Sequence, residues 1–269
     1  MQEVAMPPIA EEEEATMVDP SFAGRTALVT GAGAGIGRAS AMAFAGRGAK
    51  VMVADIDMAG AQETVQLIHD AGGTAEAILC NAADGASVEN LVHATLERFG
   101  SLDFAHNNVG CGVGKPLEEL TEDDYQFVSD LSLKSVFLGL RHELPAMRAH
   151  GHGAIVNTAS MAGISTTPAA DIIYAGAKAG VIQMTAHAAR AYGPYGIRVN
   201  CVAPGLVATK IVSEMFTPEQ QVELAGDQIL KRPASPDEIA SAVMFLCSTE
   251  AAMITGMVMP VDGGQNALR

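Results

Sequence analysis

Tryptophan is absent from the 269-residue chain, aromatic residues make up 4 % of it, and only 16 Lys plus Arg stand against 31 Asp plus Glu. Each scarcity excludes something. The bases form no cluster, so the counterion-release and surface-potential terms that draw proteins to nucleic acid and anionic membrane are missing. Neither is expected as a partner. Cys80, Cys111, Cys201 and Cys247 are the only cysteines, with no C-x-x-C pair, which fits neither a disulfide framework nor a zinc site. No run of ~18 apolar residues exists to span a bilayer and no basic-then-apolar leader opens the chain, so a cytoplasmic protein is expected. His150 and His152 form an H-x-H, but Gly151 and Gly153 around them predict a turn into a strand and no metal site.

What is present is a packed globule: 49 % of residues are apolar and 17 % charged, far from the composition of disordered chains. Methionine, at 14 residues, supplements an Ala/Val/Leu/Ile core. The length suits one α/β domain. Residues 1–20 carry six acids and no base, which predicts a flexible acidic extension ahead of a single domain over 21–269.

From Phe22 onward, short β-branched runs alternate with Ala-rich helical stretches, the pattern of a mostly parallel sheet with helices on both faces. Seven strands are predicted at Thr26–Thr30, Lys50–Ala54, Thr74–Cys80, Leu102–Asn107, Ala154–Thr158, Arg198–Val202 and Met257–Val261. Three helix starts pair an N-cap with an acid or amide three residues on: Thr121 with Asp124, Thr217 with Gln220, and Ser235 with Glu238.

The first strand runs into Thr30-Gly31-Ala32-Gly33-Ala34-Gly35-Ile36-Gly37 and then a helix. Glycines there permit a tight turn and close approach of backbone N–H groups to a pyrophosphate at the helix N-terminus. Asp55 ends the second strand 18 residues after Gly37, close to the ~20 at which an acid bonds the adenosine ribose hydroxyls. A carboxylate there repels a 2′-phosphate and neither Ala34 nor Ile56 supplies a cation, so NAD is favoured over NADP; Arg38 and Arg47 are the nearby bases that could oppose this. Tyr174 and Lys178 lie four apart on one helical face, where an ammonium can favour phenolate, and Ser160 lies 14 residues upstream.

With these residues in view, the sequence resembles the short-chain dehydrogenase/reductase family over about residues 22–265. The matching motifs are T-G-x-x-x-G-I-G at Thr30–Gly37, N-N-A-G as Asn107-Asn108-Val109-Gly110, Y-x-x-x-K at Tyr174–Lys178, P-G-x-x-x-T at Pro204–Thr209 and V-D-G-G at Val261–Gly264. The resemblance implies a Rossmann-like doubly wound domain with strand order 3-2-1-4-5-6-7. It makes Tyr174 the general acid/base, Lys178 the group that lowers its pKa and binds the nicotinamide ribose, and Ser160 the residue that orients the reacting oxygen. Gly31, Gly35, Ile36 and Gly37 would hold the pyrophosphate, Asp55, Ile56, Asn81 and Ala82 the adenosine, and Asn108 and Gly110 the nicotinamide side. Pro204, Gly205, Val207 and Thr209 would complete that side and hold the carboxamide. Ser132 stands where the family usually has an Asn of the proton relay, and a working relay is expected from its hydroxyl.

The segment 206–228 is expected to close over substrate. Its apolar residues, Ile211 and Met215 among them, together with Cys111 and Met161, predict a pocket for a hydrophobic, cyclic secondary alcohol or its ketone. A 3-oxoacyl thioester reductase and a catalytically silent nucleotide-binding protein are the alternatives. A homotetramer is implied by the family alone.

Overall fold

A computed structural model of the chain describes residues 20–167 and 170–268, without the side chains of Lys210, Ile211, Met215, Asp227 and Leu268. The acidic extension lies outside the described residues up to Asp19. Seven strands form one sheet: β1 (Thr26–Thr30), β2 (Lys50–Asp55), β3 (Thr74–Leu79), β4 (Phe104–Asn107), β5 (Gly153–Thr158), β6 (Ile197–Pro204) and β7 (Val258–Val261). Their order is β3-β2-β1-β4-β5-β6-β7 and every pairing is parallel. The expected strands are all present, with half of their ends shifted by one or two residues.

The helices are α1 (Gly35–Gly46), α2 (Met58–Asp70), α3 (Gly85–Phe99), α4 (Glu122–Ser129), α5 (Ser135–His150), α6 (Ile172–Tyr192), α7 (Lys210–Met215), α8 (Pro218–Leu224) and α9 (Pro236–Cys247). A π-helical turn, Asp130–Lys134, joins α4 to α5. All three expected capping boxes form, at the starts of α4, α8 and α9. The H-x-H is the expected turn: α5 ends at His150, Gly151 is left-handed at φ 74°, and β5 begins at Gly153.

Strand alternation divides the core into two layers. Ala27 and Val29 of β1 join one cluster with Phe44 of α1 and Val243 of α9, while Leu28 joins another with Leu91 of α3, Val136 of α5 and Val181 of α6. That is period-two burial on both sides of a parallel sheet, which is why the strands read as continuous apolar runs. Three of the scarce aromatics, Phe22, Phe44 and Phe104, pack in a buried trio with centroids 5.1–5.9 Å apart. Cys80, Cys201 and Cys247 are buried and Cys111 half-buried, all as free thiols. Among the described residues no helix is long and apolar enough to cross a membrane.

Candidate active site

The carboxyl ends of β1, β2, β4, β5 and β6 open onto one cavity of about 610 Å3. At one end lie Gly31, Gly35 and Ile36 after β1, Asp55 and Ile56 after β2, and Asn81 and Ala82 after β3. At the other lie Asn108, Gly110 and Cys111 after β4, Ser160 after β5, Tyr174 and Lys178 on α6, and Pro204, Gly205, Val207 and Thr209 after β6. The topology therefore brings together residues spread over the length of the chain.

The turn after β1 leaves the start of α1 without a side-chain cap. α1 begins at Ala34, which offers no side-chain acceptor to the helix, whereas α2, α3, α4 and α6 are capped by Asp57, Asp84, Thr121 and Asp171. The first N–H groups of α1 are left for a ligand. Gly37 lets the helix close onto the strand, since a Cβ there would collide with the Gly31 carbonyl oxygen.

Asp55 is fixed from both sides: Oδ2 accepts from Gly33 N at 2.8 Å and Oδ1 from Asp57 N at 2.9 Å. Both bases that could have favoured a 2′-phosphate already have partners within the protein. Arg38 Nη2 donates to Glu63 Oε2 at 2.6 Å and to the Gly33 carbonyl, and its Nε to Thr64 Oγ1 at 3.0 Å. Arg47 follows the end of α1 and donates to the Ala43 carbonyl.

At the opposite end, Ser160 caps a short 3-10 turn by accepting from Ala162 N at 3.1 Å. Burial pushes the Tyr174 phenol above its ordinary value, and the nearby Ser160 hydroxyl opposes that rise. Lys178 Nζ donates to the Thr158 carbonyl at 2.7 Å and lies 5.6 Å from the Tyr174 ring centroid. Burial lowers Lys178 to about 8.

Behind Lys178 is a polar chain the sequence did not reveal. Burial, with the Lys178 ammonium adding to it, holds His106 at about 3, so the imidazole is neutral. Thr158 Oγ1 donates to Asn108 Oδ1 at 3.3 Å, which leaves His106 Nε2 as the donor to Thr158 Oγ1 at 2.9 Å and Nδ1 as a buried acceptor with no partner. A histidine inside an apolar strand was the available signal.

The remaining expected residues divide. Cys111 lines the cavity. Met161 does not: at 2 % exposure it belongs to the hydrophobic cluster between the sheet and α5 and α6, because the turn after Ser160 points it inward. The side chains of Ile211 and Met215 lie outside the described ones, although Leu206 and Val212 of the same segment face the cavity. Ser132 is fully buried, accepting from Cys111 N at 3.0 Å and donating to Cys111 O at 2.9 Å. Its hydroxyl hydrogen is committed to the loop, so the side chain holds Cys111 in place and does not itself present a donor to the cavity.

A family model described as enoyl-(acyl carrier protein) reductase matches residues 31–266. The chain is 38 % identical to levodione reductase of Leifsonia aquatica, covering 91 % of this chain and 96 % of that one. It is also 38 % identical to cyclohexanol dehydrogenase of Acinetobacter sp. (strain SE19), over 90 % and 95 % of the two chains. The chain belongs to the short-chain dehydrogenase/reductase family. Among solved members, a 7α-hydroxysteroid dehydrogenase complexed with NADH and 7-oxo glycochenodeoxycholic acid superposes with a TM-score of 0.86 at 32 % identity, over 90 % of this chain and 94 % of that one. Membership makes the protein an oxidoreductase of alcohols and ketones, and the cavity lies across the carboxyl edge of the sheet, where open α/β folds bind ligands.

Proposed function

We propose that the protein is an NAD-dependent dehydrogenase that interconverts a hydrophobic, cyclic secondary alcohol and its ketone. What supports it most is the convergence of the Tyr174 phenol, the Ser160 hydroxyl and the Lys178 ammonium at one end of a cavity that has Asp55 at the other. The residues present fit a dinucleotide. The uncapped start of α1 with Gly31, Gly35 and Ile36 suits a pyrophosphate, Asp55 and Ile56 a ribose free of a 2′-phosphate, and Asn81 and Ala82 an adenine. Asn108, Gly110, Tyr174, Lys178, Pro204, Gly205, Val207 and Thr209 suit the nicotinamide half.

A bound nicotinamide ring supplies the hydride acceptor. Tyr174, as phenolate, removes the hydroxyl proton while the carbon loses its hydride, and returns that proton in the reverse reaction. Ser160 donates to the reacting oxygen and orients it. Lys178 keeps a positive charge beside the proton-transfer site, anchored on the Thr158 carbonyl. Leu206, Val207 and Val212 make the substrate end apolar, in keeping with the ring substrates named for the two relatives. The segment 206–228 serves as the lid; its base is pinned by Gln228, which accepts from Leu206 N at 3.1 Å and donates to Arg232 O at 2.6 Å.

Exposed Tyr125 and Phe127 on α4 and Phe137 on α5 support assembly of several copies, and four free thiols support a reducing, cytoplasmic compartment. The test is a steady-state screen of cyclic secondary alcohols with NAD and NADP in parallel. Turnover with NAD on a subset of ring alcohols is expected. Activity confined to NADPH and an acetoacetyl thioester would overturn the reading in favour of a thioester reductase; tight NAD binding with no turnover would favour a binding protein.

A further inference from the structure

Asp171 opens α6 as its N-cap, and its Oδ1 accepts from Tyr174 N at 2.8 Å. A helix cap needs only that oxygen. The second, Oδ2, reaches a different part of the chain and accepts from Val113 N at 2.9 Å and Gly114 N at 3.1 Å. The side chain is only 5 % exposed. Although burial pushes its carboxyl up, the N–H donors of Tyr174, Gly114, Val113 and Ile173 outweigh that and keep it ionised. These are charge-assisted bonds, stronger than neutral ones.

The segment so held is the wall that faces the reacting end of the cavity. Cys111 and Gly112 line it. Ser132 pins the segment at Cys111, Asp171 pins it at Val113 and Gly114, and Gly112 between them has no room for a side chain. A Cβ there would stand 2.7 Å from Asp171 Oδ2 and 3.3 Å from Tyr174 Cβ. The wall therefore passes as bare backbone close to the catalytic tyrosine, and one carboxylate ties it to the helix that carries Tyr174 and Lys178.

We propose that Asp171 is a specificity-determining positioning residue, whose carboxylate buckles the 111–114 segment onto α6 and so sets the width of the cleft that receives the alcohol. The inference deepens the dehydrogenase reading and rests on it for the identity of the substrate. A narrow cleft selects single rings; release of the buckle lets the wall withdraw and admits fused ones.

Asp171→Ser separates the two oxygens, because Ser is a good N-cap but cannot also reach Val113 and Gly114. In this variant the ratio of kcat/KM for cyclohexanol to that for 2-decalol should fall at least tenfold, through KM more than kcat. NAD affinity should stay within twofold. Amide hydrogen exchange should speed up at Val113 and Gly114 and remain slow at Tyr174. An unchanged substrate ratio, or unchanged protection at Val113 and Gly114, would overturn the proposal. If the wild-type protein turns over no alcohol, the dehydrogenase reading fails, and the exchange measurement decides the buckle by itself. Gly112→Ala, which drives a Cβ into the buckle with Asp171 intact, should produce the same shift in ratio; no shift there overturns the proposal even if Asp171→Ser does not fold.

Discussion

Glu143 of α5 and Asn107 of β4 meet beneath the sheet, where Asn107 Nδ2 donates to Glu143 Oε2 at 2.9 Å and the carboxyl is 1 % exposed. The same amide donates to Asn157 Oδ1 at 3.1 Å, and Asn157 continues to Thr185 Oγ1 at 2.9 Å. Burial raises Glu143 from 4.5 to about 7, with the Asn107 bond opposing. The folded state thus holds a proton that the unfolded chain has lost, so this group's contribution is fully present below about 4.5 and declines as pH rises to about 7. Glu143→Gln keeps the acceptor for Asn107 and removes the titration. It should raise the melting temperature by several degrees at pH 8, from a relief of at most about 3 kcal/mol, with the advantage vanishing near pH 4.5. A pH-independent difference in thermal scans would contradict this account.

The phenol of Tyr174 sits above its ordinary value, so the fraction of phenolate grows as pH rises through the alkaline range. Alcohol oxidation should accelerate with pH, and ketone reduction, which needs the protonated phenol, should not. Tyr174→Phe should cost more than about a hundredfold in kcat, the scale of general acid/base catalysis, with NAD affinity retained. pH–rate profiles in both directions check the sign; substantial turnover by the variant would sink the mechanism.

Asp55→Asn removes the negative charge while retaining one acceptor for Gly33 N or Asp57 N. The KM for NAD should rise on the order of tenfold, the loss of about one charge-assisted hydrogen bond, and that for NADP should fall. Kinetics with the two cofactors read the crossing directly, and unchanged discrimination would place selectivity elsewhere.

Gly37→Ala puts a methyl group 2.0 Å from the Gly31 carbonyl oxygen, backbone against backbone, with no flexible side chain to yield. The cost should be at least about 3 kcal/mol in urea unfolding. Gly46, at the end of the same helix, has nothing within 4 Å of a built Cβ, so Gly46→Ala should be neutral or stabilise slightly. Similar losses in the two variants would contradict the packing role.

Much of this was legible because parallel strands and glycine turns leave strong local signals. The β-branched runs gave all seven strands, and the T-x-x-Q and S-x-x-E spacings gave the starts of α8 and α9. Asp55, Ser160, Tyr174 and Lys178 could be located because each sits at a strand end or at helical spacing. What stayed hidden depends on direction in space. Met161 reads as a pocket residue but turns into the core, and Ser132 reads as a relay group but spends its hydroxyl on Cys111. Asp171 looks like any residue before a helix until its second oxygen is seen to reach a segment 57 residues away. His106 shows as a polar residue in an apolar strand, but only the fold supplies its Thr158 partner.

The bare first turn of α1 has a consequence for how long the protein persists. The starts of α2, α3, α4 and α6 each carry a capping side-chain oxygen, while Ala34 leaves the N–H groups of α1 to solvent or ligand. A dinucleotide seated there would supply the missing acceptors to the native state alone, so resistance to unfolding would rise with the logarithm of its concentration. Between otherwise identical molecules, those in a nucleotide-depleted compartment would open more often and be degraded sooner, which makes the lifetime of the chain a readout of its own cofactor supply.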